Sequence, residues 1–168
     1  MSESVGPEQV TYIMNKVLTV QQKAVQRFGG MVDKYIGDAM MAIFNAPIDL
    51  EYHEQRAMEC GVAIIKEIKA LNQELGTEGL PTVAVGVGVN SGEAIIGNMG
   101  SENRFDYTAI GDAVNIAARL ESATKECDVD ILFGETTVEQ SNYNLRELDP
   151  IMVKGKSKPL RIYTWDTR

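Results

Sequence analysis

Histidine occurs once in the chain, at His53, and cysteine twice, at Cys60 and Cys127. A lone histidine excludes a histidine-based metal cluster and a Ser-His-Asp triad within one chain. The two cysteines lie far apart, without Cys-x-x-Cys or Cys/His spacing, which points to reduced thiols in a cytosolic setting and to no redox motif. No apolar run approaches membrane-spanning length, and the first residues lack the charged and apolar regions of a signal peptide. A soluble, cytoplasmic domain with no membrane contact of its own is expected. Positive charge is also scarce: 16 Lys and Arg face 24 Asp and Glu, for a formal net charge of −8. No basic run is long enough to follow a nucleic-acid backbone, so nucleic acid is not an expected partner and any polyanion must meet a small, local positive site. What is present is a length of 168 residues with 44% hydrophobic and 24% charged side chains, the profile of a single globular domain over 1–168.

Periodicity divides the chain into alternating helical and strand-like stretches. Pro7 suits a first helical turn, and Val10, Ile13, Met14, Val17, Ala24, Val25 and Phe28 follow at helical spacing before Gly29 and Gly30. Residues 31–36 and 39–45 read as two strands around a Gly37-Asp38 turn. A second helix is expected over 51–75, with Ala57, Cys60, Ile64, Ile68, Leu71 and Leu75 on one face. Residues 83–89 and 94–99 read as a further strand pair around Asn90-Ser91-Gly92, and 100–106 as a polar loop leading into a helix over 112–124. A short strand over 130–133, a short helix over 135–140 and a hairpin joining 145–153 to 160–165 complete an α+β pattern.

Two phosphate-binding patterns fail on spacing. Gly86, Gly88 and Gly92 place three residues where a dinucleotide fingerprint needs two, in a stretch read as a hairpin that opens no helix. Gly155-Lys156-Ser157 imitates the end of a Walker A loop, but Pro150 stands where its first glycine belongs and no helix is expected after it.

Three longer segments carry more. The segment from Phe28 to Phe44, with Asp33-Lys34-Tyr35-Ile36-Gly37-Asp38 at its centre, closely resembles the metal-binding hairpin of class III adenylyl and guanylyl cyclases. The segment from Phe105 to Glu121 is similar to the same family over its whole length, as is the segment from Glu147 to Leu160. Three separated motifs in the right order, spanning roughly residues 2–165, make chance agreement improbable. Taken singly, each feature has a plainer reading: a turn aspartate, a strand lysine, a polar helix face.

The resemblance implies a ferredoxin-like α+β sandwich that pairs head to tail into a homodimer with composite sites. It implies that Asp38 ligates divalent metal, Mg2+ or Mn2+ with two ions per site, and that Lys34 donates to adenine, where guanylyl cyclases carry a glutamate. Thr108 stands at the family's second base-selecting position. Asn115 and Arg119, four apart on one helix and hence on one face, correspond to the ribose-orienting amide and the phosphoryl-stabilising guanidinium. Lys154 corresponds to a triphosphate-contacting lysine, whereas Lys156 and Lys158 are expected to be solvated turn residues. Asp38 would come from one subunit and the other residues from its partner. ATP is the implied substrate and 3′,5′-cyclic AMP the product.

The resemblance has a gap. Family members begin with an internal β-strand ending in Phe-x-Asp-Ile, whose aspartate is the other metal ligand, whereas this sequence starts at Met1-Ser2-Glu3-Ser4. Unpaired backbone groups are therefore expected where that strand lies in the family. Glu93 stands where some relatives have a phosphate-binding arginine and others do not. The alternatives are a guanylyl cyclase, disfavoured by Lys34, and a catalytically silent nucleotide-binding or dimerisation module, favoured by the missing aspartate. A diguanylate cyclase is weaker, because no Glu-Phe follows Gly37-Asp38.

Overall fold

The structure is a computed structural model and describes residues 5–166. Helix α1 (Pro7–Arg27) starts on the proline expected there and lays Ile13, Val17, Ala24 and Val25 against Cys60, Ile64, Ile68, Leu71 and Leu75 of helix α2 (His53–Thr77). Burial raises the Cys60 thiol to about 12, so it remains protonated and acts as a core hydrophobe. Between these helices, strands β1 (Met31–Ile36) and β2 (Ala39–Ile43) form an antiparallel hairpin.

The largest sheet has four strands in the order β3-β6-β8-β7, formed by Val87–Val89, Ile131–Gly134, Leu160–Thr164 and Arg146–Ile151. β3 runs parallel to β6, and the other pairs are antiparallel. Helix α3 (Asp112–Glu126) packs on this sheet through Ile116, Leu120 and Ala123, while Met58 and Val62 of α2 pack with Ile131 and Phe133. A sheet covered on two faces needs apolar side chains at successive positions, which is why all of β6 is buried. Helix α4 (Glu135–Glu139) follows β6 directly.

The glycines of the rejected dinucleotide pattern have a packing role. A Cβ on Gly88 would lie 2.5 Å from the Ala117 carbonyl oxygen and closer still to the Glu121 amide. On Gly92 it would meet the Ala113 methyl at 3.0 Å. The small residues of α3 and the glycines around β3 thus let helix and strand approach closely.

The expected pairing of 83–89 with 94–99 is not found. β3 joins β6 across the sheet, and residues 95–101 form strand β4 (Ile95–Ser101), paired antiparallel with β5 (Arg104–Ile110). The polar stretch read as a loop is thus mostly strand, turning at residues 102 and 103. The glycine-rich segment accordingly lies in a parallel strand and the connection beyond it, not in a hairpin. Lys156 also departs from expectation: it pairs with the carboxylate of Asp112 at the start of α3, tying the β7–β8 connection to that helix.

Residues 81–86 have no ladder partner, and β2 has none besides β1. Between them lies a groove of about 1020 Å3, walled by β2, residues 84–92, Cys60, Gly61 and Ile64 of α2, and Ala113, Ala117 and Ala118 of α3. Within 81–86 a side chain takes part of the ladder's place: the Val83 amide donates to Asn72 Oδ1 and the Val83 carbonyl accepts from Asn72 Nδ2, both at 2.8 Å.

Candidate active site

The β1–β2 turn presents Asp38. Gly37 holds φ +60, a conformation that a Cβ disfavours, and the pairing of Ile36 with Ala39 leaves Asp38 exposed beside it. Asp38 borders the groove, as does Asn115 on the first turn of α3. Among the described residues no three histidine, cysteine or acidic side chains gather into a cation site. Asp38 carries a hard oxygen donor, the chemistry that suits Mg2+ or Mn2+.

Thr108 contacts the neighbour of Lys34 on β1. β1 contains a bulge: Val32 pairs with Ala42 and Lys34 with Met41, so Asp33 is the extra residue. Bulges redirect side chains, and Asp33 Oδ2 accepts a 2.6 Å hydrogen bond from Thr108 Oγ1, 75 residues away on β5. Thr108 is only 7% exposed. Beside it, residues Met31, Val32, Asp33, Lys34, Asp106 and Tyr107 line a shallow pocket of about 290 Å3. Nothing local in the sequence marks this contact; the tertiary approach of two hairpins creates it.

Arg119 is engaged within the chain. Its guanidinium donates to both carboxylate oxygens of Glu126, at 3.0 and 3.3 Å, and its Nε donates to the Met152 carbonyl at 3.2 Å. It shares α3 with Asn115 but is not among the groove-lining residues. Lys154 is exposed beside Gly155 in the β7–β8 connection. The structure thus bonds Thr108 to Asp33, the strand neighbour of Lys34, sets Asp38 and Asn115 along one groove, and leaves Arg119 and Lys154 outside both pockets.

The sequence profile described as the adenylate and guanylate cyclase catalytic domain matches residues 1–165. The chain belongs to that family. An adenylate cyclase of Anabaena cylindrica is 36% identical over 169 residues, covering 97% of this chain and 33% of that protein. Adenylate cyclase 1 of Rhizobium meliloti is 31% identical, covering 97% of this chain and 25% of its own length. The chain therefore spans a third or less of these curated relatives. The solved adenylyl cyclase CyaB of P. aeruginosa superposes with a TM-score of 0.87 at 32% identity, over 96% of this chain and 84% of that one. The guanylyl cyclase Cya2 superposes with a TM-score of 0.86 at 30% identity, over 96% and 82%. The ferredoxin-like cyclase fold expected from the motifs is thus the fold found. It does not by itself choose the base, because neighbours named for either nucleotide match it almost equally. No helix among the described residues is long and apolar enough to cross a membrane.

Proposed function

We propose that this cyclase domain is an adenylyl cyclase, forming 3′,5′-cyclic AMP from ATP. The observation that supports the choice of base is the hydrogen bond of Thr108 to Asp33, which stands next to Lys34 on β1 and borders the same shallow pocket as Lys34. An ammonium has only donors, so Lys34 suits the unprotonated ring nitrogen of adenine and opposes the N–H that guanine carries there. In the reaction the ribose 3′-oxygen bonds to the α-phosphorus, the bond to pyrophosphate breaks, and the 3′-hydroxyl proton leaves to solvent. Asn115 orients the ribose, Arg119 stabilises charge on the phosphoryl group, and Lys154 binds the triphosphate. Arg119 must then exchange Glu126 for phosphate oxygens, which an exposed ion pair permits at small cost. Asp38 would be one ligand of Mg2+ or Mn2+, which when bound would neutralise the triphosphate and activate the nucleophile.

The active unit is a homodimer with sites shared between subunits. Supporting this, Ile36, Ile95, Phe105 and Ile110 on the two hairpins are each more than half exposed, a concentration of apolar surface that a second copy would cover. A second reading is a module that binds nucleotide or dimerises without turnover. The product assay separates these two readings from each other and from a guanylyl cyclase. Lys34→Glu combined with Thr108→Gly lowers cyclic AMP formation relative to cyclic GMP formation, because the donor facing adenine becomes an acceptor. An unchanged preference removes these residues from base reading. Nucleotide binding without either product supports the silent module.

A further inference from the structure

The Asp33–Thr108 hydrogen bond does more than join two hairpins. A threonine hydroxyl has one proton and two lone pairs, and alone it serves a donor or an acceptor equally well. A carboxylate can only accept. Once Thr108 has given its proton to Asp33 Oδ2 at 2.6 Å, its oxygen has only lone pairs left to offer.

We propose that Asp33 is a positioning residue for base selection, fixing the Thr108 hydroxyl as an acceptor so that it receives the exocyclic amine of adenine and refuses the carbonyl of guanine. This rests on the reading of Lys34 and Thr108 as the base-reading pair. The bulge is the device: the extra residue lets neighbouring positions on one strand face different tasks, with Asp33 turned to Thr108 and Lys34 bordering the pocket. Adenine presents a ring acceptor beside an amine donor, and guanine presents a ring donor beside a carbonyl acceptor. Lys34 as donor and Thr108 as enforced acceptor complement the first pattern and oppose the second at both points. Without Asp33, Thr108 could rotate its proton toward a guanine carbonyl, and half of the discrimination would be lost.

The test compares ATP and GTP dissociation constants in the full chain with Mn2+ present, together with kcat/KM wherever turnover is measurable. Asp33→Ala should lower the ATP-over-GTP preference about tenfold, chiefly by improving GTP. Asp33→Asn should move it in the same direction by less, because the amide oxygen still accepts; it also serves if the alanine variant fails to fold. In a Thr108→Val background, Asp33→Ala should change the ratio by less than about twofold, since no hydroxyl remains to orient. A merely structural staple behaves differently: both nucleotides weaken together, Tm falls and the ratio stays constant, and that result overturns the proposal. If Lys34→Glu shifts the preference while both Asp33 variants leave it unchanged, only the role of Asp33 falls. If the unaltered chain shows no preference, or binds neither nucleotide, the base-reading assignment falls and this proposal with it.

Discussion

The four-stranded sheet and the two hairpins are built on opposite principles. In the sheet, Ile131, Leu132, Phe133 and Ile162 are fully buried, helices cover both faces of β6, and β3 approaches α3 so closely that only glycine fits at position 88. In the hairpins, Tyr35, Ile36, Ile95, Phe105 and Ile110 are exposed, and each hairpin is a two-stranded sheet of its own. Isolated two-stranded ribbons are marginally stable. Yet the hairpins carry Asp38, Lys34 and Thr108, while the sheet half carries Asn115, Arg119 and Lys154. The domain thus places half of its candidate chemistry on a sheet buried between helices and half on two-stranded ribbons that keep large apolar side chains exposed.

The largest expected effect comes from closing the groove between the two regions. Adding an upstream strand of Phe-x-Asp-Ile type would give β2 and residues 84–89 a common neighbour and would bring a second carboxylate beside Asp38. Such a version should form cyclic AMP faster than the 168-residue chain by a factor on the order of a thousand, since each electrostatic element of this kind is worth several kcal/mol. It should also unfold at higher temperature, because backbone groups along the groove gain partners. Parallel assays with Mn2+ and ATP measure both. Equal turnover would mean that another residue already supplies the second carboxylate.

A smaller but qualitative effect follows from dividing the site between subunits. In strand-extended chains, Asp38→Ala and Asn115→Ala should each abolish turnover as homodimers. Mixed at equal amounts, random pairing leaves one intact site in each heterodimer, and about a quarter of the unaltered activity should return. If heterodimers form and no activity returns, both residues serve the same subunit's site. Their shared position along one groove would then be the functional arrangement.

How much of this was readable in the sequence follows the same division. The helices were, because 3.6-residue periodicity is local; so were the Gly37-Asp38 turn and the β7–β8 pairing. The partner of β3 was not. Its apolar run followed by Asn90-Ser91-Gly92 looks like half a hairpin, but the true partner, β6, lies beyond a hairpin and a helix. β5 leaves no period-two signal because Arg104, Phe105 and Asp106 are exposed in succession and its buried positions, Thr108 and Ala109, are adjacent. The candidate site residues came from motif resemblance. Asp33 lies inside the first motif, but its link to Thr108 depends on a bulge and on tertiary approach, neither of which leaves a local signal.

The smallest effect, and the most direct measure of the difference between the regions, compares two strand glycines. A Cβ at Gly88 meets the backbone of Ala117 and Glu121, whereas a Cβ at Gly97 on β4 has nothing within 4 Å. Backbone cannot move aside as a side-chain tip can, so Gly88→Ala must push α3 off the sheet, at a cost of roughly 1–3 kcal/mol, as for other overpacked cores. In a domain of this size that lowers Tm by several degrees, at roughly 2–4 °C per kcal/mol. Gly97→Ala should stay within about 0.5 kcal/mol of the unaltered chain, or stabilise it slightly by restricting the unfolded state. Thermal unfolding should be followed at several protein concentrations, because the two regions predict different responses. The Gly88 loss belongs to the interior of one subunit and should not change with dilution. If Gly97→Ala proves as damaging as Gly88→Ala, and more so at concentrations where the chain pairs, the β4–β5 hairpin is packed against a second copy. In that case the contrast between buried and exposed regions holds only for the isolated subunit.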